Sequence, residues 1–355
     1  MASDRLYLDH AATTPVLAEA RAAMADALGA WANPSSPHAD GRAARAALEA
    51  ARGQIAGALE WCHDVILTSG ASEAIAIIAE RAKVERRVIG PTEHDAVVAA
   101  MGAEAEVLGV DEGGRIDLDA LAQSLAGEPA LVAVQQVNNE TGVIQPVAQI
   151  AAIVQAAGSL LLVDCAQGAG KIPLPDADFI AVSAHKLGGP PGMGALLVRD
   201  IAKLAPSGGQ EKGYRRGTEN LPAAAGFAAA LQSRAFAEAM PRLAELRAKL
   251  ERAIGPAMGA GADRIPTIGA YAMPGVSSAS LLVQFDLAGI AVSAGSACSS
   301  GSMKSSRVLE AMGVAPEIAG SVIRVSFGPD TTAEDIDRFL AEWRRIADKA
   351  AEQAA

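Results

Sequence analysis

The chain has 355 residues, half of them hydrophobic, which is enough to bury a large core across two or three domains. Its 30 basic and 41 acidic residues leave a net charge of −11, which excludes broad nucleic-acid binding, and its longest apolar runs are far too short to span a bilayer. The N-terminal residues lack a basic start followed by an apolar stretch, so no secretory signal is expected. The three scattered cysteines, Cys62, Cys165 and Cys298, form no CxxC pair. Free thiols in a reducing cytoplasm are expected, with no structural disulfides, metal site or membrane anchor.

In chain order, residues 41–60 place Ala44, Ala47, Leu48, Ala51, Ile55, Ala58 and Leu59 on one face of a 3.6-residue period, with Arg42, Arg45, Glu49 and Arg52 mostly opposite. A helix is predicted there. Short β-branched runs follow at 65–68, 87–90, 106–110, 131–137, 160–164, 179–183 and 195–198, separated by Ala-rich helical stretches. Most of these runs are apolar throughout, as strands covered on both faces should be, and the alternation predicts an α/β fold with a mostly parallel sheet. Residues 222–230 read as a buried helix and 242–252 as a charged one. Past the Gly- and Pro-rich stretches at 255–261 and 273–276, a second and smaller α/β unit is expected. It closes with an amphipathic helix over 333–349, capped by Thr331 or Thr332. No internal repeat is present.

Three motifs carry chemistry. Thr68-Ser69-Gly70-Ala71-Ser72-Glu73 stands where a strand gives way to a helix, and free amides at a helix start face any anion placed there. Alone, the motif reads first as a capped helix with Glu73 in its first turn, and only second as a phosphate cup. Asp164 ends the apolar strand 160–164, at the sheet edge where open α/β proteins bind ligands. A buried carboxylate there needs a partner, which a structural ion pair or a protonated ring nitrogen would equally supply. Ser183-Ala184-His185-Lys186 closes another strand ahead of a Gly/Pro loop; a lysine in so apolar a setting can act as a nucleophile toward an aldehyde.

With further segments these motifs resemble the cysteine desulfurases of NifS/IscS type, in the class V aminotransferase group of fold-type I pyridoxal-phosphate enzymes. The likeness runs from Tyr7 to about Gly328. It includes Asp9-His10-Ala11-Ala12-Thr13-Thr14-Pro15, Asn33-Pro34-Ser35-Ser36-Pro37-His38, Thr92-Glu93-His94, Asn138-Asn139-Glu140-Thr141-Gly142, Arg216-Gly217-Thr218-Glu219-Asn220, Gly295-Ser296-Ala297-Cys298-Ser299 and Ser321-Val322-Ile323-Arg324. No single motif decides; their joint order does.

The resemblance implies a large cofactor domain over 16–237, built on a mostly parallel seven-stranded sheet. A smaller α/β domain, from 1–15 and 238–355, would carry the loop of the catalytic cysteine. It implies that Lys186 holds pyridoxal 5′-phosphate covalently, that Asp164 keeps the ring nitrogen protonated, and that Gln167 meets the ring oxygen. His94 would stack on the ring and help move protons. Ala71, Ser72, Ser183 and His185 would hold the phosphate, with Thr218 reaching it from the partner subunit of a homodimer. Asn139 is implied beside both cofactor and substrate, and Asn33 and Arg324 beside the substrate L-cysteine. Arg324 offers the two parallel donors that suit a carboxylate, and an ordinary strand-end salt bridge is the alternative for the same residue. Cys298 narrows the reaction. Its Gly/Ser-rich surroundings predict an exposed thiol, and the resemblance implies that this thiol takes the sulfur as a persulfide, for delivery to an acceptor protein such as an iron–sulfur scaffold or a sulfur carrier. Cys62 and Cys165 are expected to be buried structural thiols. A selenocysteine or cysteine-sulfinate lyase on the same cofactor, and a non-catalytic sulfur carrier, are the alternatives.

Overall fold

The computed structural model describes residues 5–30, 32–295 and 305–354. The elements, in order, are β1 (Leu6–Tyr7), α1 (Ala18–Gly29), α2 (Ala39–Ala58), β2 (Asp64–Thr68), α3 (Ala71–Arg81), β3 (Arg86–Ile89), α4 (Asp95–Met101) and β4 (Glu106–Val107). Next come α5 (Leu118–Ser124), β5 (Ala130–Gln135), α6 (Val147–Ala156), β6 (Leu160–Asp164), β7 (Phe179–Ser183), β8 (Gly194–Val198), α7 (Leu221–Gln232) and α8 (Ala235–Ile254). The rest are β9 (Ile268–Ala272), α9 (Ser278–Leu287), β10 (Ile290–Ala291), α10 (Arg307–Ala311), α11 (Pro316–Ala319), β11 (Val322–Ser326) and α12 (Ala333–Ala354).

A seven-stranded sheet in the order β2-β8-β7-β6-β5-β3-β4 dominates, as expected. The pairs among β7, β6, β5, β3 and β4 are parallel, while β8 runs antiparallel to both its neighbours. The continuous apolar runs have a direct cause. Successive side chains on a strand alternate faces, and both faces are covered. Leu161 and Val163 of β6 and Ile180 and Val182 of β7 join one core cluster with residues of α2, α6 and α7. Leu160, Leu162, Phe179 and Ala181 join another with residues of α3 and α4. Full burial of each such Leu, Ile or Phe contributes about 1.5–3 kcal/mol.

One strand is shorter than the sequence suggests. The 106–110 run pairs only at Glu106 and Val107, both exposed. Leu108 still donates its amide to Ile89, but Val110 turns away to bridge Ile116. The charged helix predicted over 242–252 starts earlier, at Ala235, and carries Pro241 in its second turn. Thr332 is the cap of the last helix: its hydroxyl accepts the Asp335 N–H and Asp335 accepts the Thr332 N–H.

The C-terminal elements build a separate cluster in which Leu243, Leu250, Phe285, Phe339 and Trp343 pack with Leu6 and Leu8 from the N-terminus. The rings of Phe285 and Phe339 stack at 4.9 Å. Strand β1 pairs with β10, β11 with β9, and Asp9 bridges Ser326. This brings residues 9–14 and Arg324 to the carboxyl edge of the large sheet. Among the described residues, no helix is long and apolar enough to cross a membrane.

Candidate active site

A cavity of about 380 Å³ opens at the carboxyl ends of the large sheet's strands, the edge at which such sheets bind ligands. Its walls bring together Ala71, Ser72, His94, Asn139, Asp164, Gln167, Ser183, His185, Lys186 and Arg324, which are most of the residues singled out from the sequence.

Two glycines set its floor. Gly70 adopts φ +154° between β2 and α3, and Gly194 of β8 lies beneath it. A Cβ on Gly194 would sit 2.6 Å from the Gly70 Cα and 2.4 Å from the Val182 carbonyl oxygen, so the turn can settle onto the sheet only without one. Helix α3 thus starts at the cavity with no side-chain cap, leaving the first-turn amides of Ala71 and Ser72 for an anion. Glu73 reaches back to the Ser69 amide and pairs with Arg215 at 3.2 Å. Glu73 thus stands in the first turn as the capped-helix reading expects, but no side chain caps the start of the helix.

Asp164, at the tip of β6, accepts the Ala166 amide on Oδ1 at 2.8 Å; no hydrogen bond to its Oδ2 occurs among the described residues. Gln167 donates Nε2 to the Ala11 carbonyl at 2.9 Å and leaves Oε1 buried, with no partner among the described residues. Lys186 ends a short 3₁₀ turn after β7, with its backbone carbonyl accepting from the Thr14 hydroxyl at 3.3 Å. The neighbouring His185 shares a hydrogen bond with Thr13 at 3.1 Å; burial, then the charges of Lys186 and Lys171, push its pKa down to about 4. It is a neutral imidazole at neutral pH.

His94 has two jobs. Its Nδ1 accepts the Ala96 amide at 3.1 Å, capping α4, while the ring lines the cavity. Burial is the largest influence on it, and its pKa is lowered. With Nδ1 committed as an acceptor, the neutral ring must carry its proton on Nε2. Arg324, 2% exposed, pairs with Asp9 at 2.8 Å and donates to the Asn139 carbonyl at 2.9 Å, while its Nε meets no partner among the described residues. The salt bridge anticipated for this residue and its place on the cavity wall are thus both real.

Two of the implied residues do not line this chain's cavity: Asn33 is exposed, with its Oδ1 accepting the Ser35 amide, and Thr218 is exposed, as a role at the partner subunit's phosphate allows. Cys165 is fully buried and burial drives its thiol pKa well up, as a structural cysteine requires. Cys62 is exposed, contrary to expectation, because it falls in the short connection between α2 and β2 rather than under a helix. Cys298 lies outside the described residues.

Sequence reasoning missed Gln135, Glu93 and Lys171. Gln135 is the polar end of an otherwise apolar strand, and that break in the run was its signal. Its side chain holds the Thr92 carbonyl at 2.7 Å and hydroxyl at 2.9 Å, fixing the approach to His94. Glu93 is buried behind it, accepting the Gln135 amide at 3.0 Å, and burial raises its pKa well above the usual carboxyl range. Lys171 stands 4.7 Å from the centroid of the Phe236 ring; burial, then the charge of Lys186, lower its pKa to about 7. An anion cup, a carboxylate, an orphaned acceptor and an amine on one wall form a donor set suited to a phosphorylated aromatic aldehyde.

The family model for class V aminotransferases matches residues 6–339. The chain belongs to that family. It is 37% identical to a cysteine desulfurase of Gluconacetobacter diazotrophicus over 94% of this chain and 91% of that one. A cysteine desulfurase of Cereibacter sphaeroides is 36% identical, over 98% and 96%. The solved structure of a NifS-like protein from Rickettsia africae superposes with a TM-score of 0.88 at 31% identity, covering 97% of this chain and 99% of that one. Lys186 and Asp164 stand on the sheet edge from which the cavity is built.

Proposed function

We propose that the protein is a pyridoxal-phosphate-dependent cysteine desulfurase, converting L-cysteine to L-alanine and keeping the sulfur as a persulfide on Cys298. The observation that carries this reading is the convergence of Lys186, Asp164, His94 and the uncapped start of α3 on one cavity. High likeness to desulfurases over almost the whole chain supports it.

The amides of Ala71 and Ser72, with Ser183 and His185, would hold the phosphate. Asp164 would face the ring nitrogen, Gln167 the ring oxygen, and Lys186 Nζ the aldehyde. Bound there, the cofactor supplies an electron sink for the bonds at the substrate's α-carbon. Lys186 Nζ is the amine placed to take the α-proton and return it. His94 donates through Nε2, since its Nδ1 is occupied by the Ala96 amide. Asn139 and Arg324 orient the substrate carboxylate. The Cys298 thiolate then attacks the substrate sulfur: an S–S bond forms, the substrate's Cβ–S bond breaks, and the carbon skeleton leaves as alanine. Cysteine plus thiol gives alanine plus persulfide, with no other reagent.

The division into 16–237 and 1–15 with 238–355 belongs to the same reading, supported by the separate cluster that joins Leu6 and Leu8 to the C-terminal helices. So does a homodimer. Thr218 is exposed and away from this chain's own cavity, as a residue serving the partner's phosphate would be. Sulfur passes to an acceptor protein in the cytoplasm.

The test is the visible spectrum of the purified protein with and without L-cysteine, followed by mass analysis of Cys298. Cys298→Ser should keep the cofactor's colour and release neither alanine nor sulfide. Equal turnover by that variant, or a colourless protein that takes up no pyridoxal phosphate, would overturn the reading.

A further inference from the structure

Strand β5 is apolar from Ala130 to Val134 and then ends in an amide. Gln135 is 2% exposed and lines the cavity wall. It stands in register with Asp164 of β6, so both side chains leave the sheet on the same face. Burying an amide side chain is unfavourable unless its hydrogen bonds are made. Both hydrogens of Gln135 Nε2 go to one residue, Thr92: to its carbonyl at 2.7 Å and its hydroxyl at 2.9 Å. A carbonyl only accepts, so the amide must turn its nitrogen toward Thr92.

The target of these bonds is the connection that delivers His94. The last register pair of β3 with β5 is Ile89 with Ala133; past it, the Gln135 backbone amide donates to Glu93 Oε1 at 3.0 Å. Gln135 therefore ties down both residues that precede His94, and they are 1% and 2% exposed. Asn138 adds a longer bond to the Thr92 carbonyl, at 3.2 Å, but the Thr92 hydroxyl has no other partner among the described residues. On the other side of His94 the bonds are local: Nδ1 accepts the Ala96 amide and the His94 carbonyl accepts the Val97 amide at 2.9 Å. Those bonds join the ring to its helix. The Gln135 side chain joins the same stretch to the sheet, one strand away from Asp164.

We propose that Gln135 is a positioning residue for His94: its side-chain amide holds Thr92 to the end of β5 and so sets where the imidazole stands over the cavity. The role rests on the desulfurase reading and deepens it. With both Nε2 hydrogens committed to Thr92, Gln135 acts through His94. Thr92 is two residues from His94, so their Cα atoms lie within about 7 Å of each other. A shift of Thr92 reaches the ring with little slack between, and a displacement of about 1 Å from reacting geometry can slow a reaction on the order of a hundredfold.

Gln135→Met keeps the length of the side chain and removes both donors; the backbone bond to Glu93 survives the change, so the side chain alone is tested. In the cofactor-loaded protein it should release alanine at least about tenfold more slowly than wild type, with Thr92→Val, which removes only the hydroxyl, in between. Because the effect runs through His94, Gln135→Met should slow a His94→Asn protein no further than about twofold, whereas general damage to the fold would slow both backgrounds alike. A second readout needs no turnover: the imidazole nitrogen resonances of His94 in the full chain, followed across pH. Asp164, Lys186, Asp95 and Arg307 are the charges that act on this ring, and all stay in place. In Gln135→Met the two nitrogen signals should converge as the fixed tautomer is lost, and the lowered midpoint should rise toward the ordinary histidine value as water reaches the ring. Wild-type protein that releases no alanine sinks the desulfurase reading, and the His94 signals still decide this one. Should Gln135→Met fail to fold, Thr92→Val carries the same readouts. The proposal is overturned if turnover falls less than stated, if the His94→Asn protein is slowed as much as wild type, or if the His94 signals stay where they were.

Discussion

His94 offers a way to separate a structural contribution from a chemical one at a single atom pair. Its Nδ1 caps α4 through the Ala96 amide at 3.1 Å, and its Nε2 carries the proton that the chemistry would use. His94→Ala removes both. Loss of a helix cap costs about 1 kcal/mol. An unfolding entropy of about 2.1 cal/mol/K per residue, over a chain of 355 residues, makes that a fall of only about 1–2 °C in Tm. Loss of a general acid lowers turnover by about 10²–10⁴. His94→Asn keeps an acceptor at the cap position but has no Nε2 proton and no imidazole to stack. It should recover the wild-type Tm in a thermal melt and still lose turnover, measured as alanine released per active site, by at least about a hundredfold. If His94→Asn recovers activity together with stability, the histidine is there only to cap α4, and the proton-donor role is wrong.

Other expectations are as direct. Arg52→Ala strands the Glu211 carboxylate, whose side chain is 0% exposed, so a loss of about 3–5 kcal/mol is expected in denaturant titration. Gly194→Ala forces the Gly70 turn off β8 at a cost of about 1–3 kcal/mol; equilibrium dialysis should show weaker retention of pyridoxal phosphate with the sheet still folded. Burial depresses His10 and His185 to about 4 from an ordinary value near 6.5. The unfolded chain therefore binds more protons than the folded one between those values, and stability should fall as pH drops from about 6.5 to about 4. Guanidinium midpoints that stay level across that window would refute the assignment. Lys171, lowered to about 7 by burial, works in the same sense at higher pH. Lys171→Met should raise the Tm at pH 7, with the gain shrinking as pH rises from about 7 toward 10.5, the range in which the folded amine is neutral and the unfolded one is giving up its proton.

The sequence by itself determined the sheet and most of the cavity wall. Burial on both faces leaves strands such as β6 and β7 apolar throughout, and the chemistry-bearing residues stand where those runs stop, at Asp164, Ser183 and His94. Local order alone therefore marks the edge at which they gather. Tertiary structure decided whatever depends on segments far apart in the chain. Arg324 lies 315 residues from the Asp9 that pairs with it, and Glu140 lies 166 from the Ser306 that it holds. Gly194 has meaning only because Gly70 lies across it, and no periodicity in either segment records that. Cys62 looked like an interior thiol because its exposure depends on how α2 ends, and the burial of Glu93 and Lys171 is set only by the fold that closes over them. Period and composition report how one segment meets an average environment; which particular partner fills that environment is set only when the chain packs.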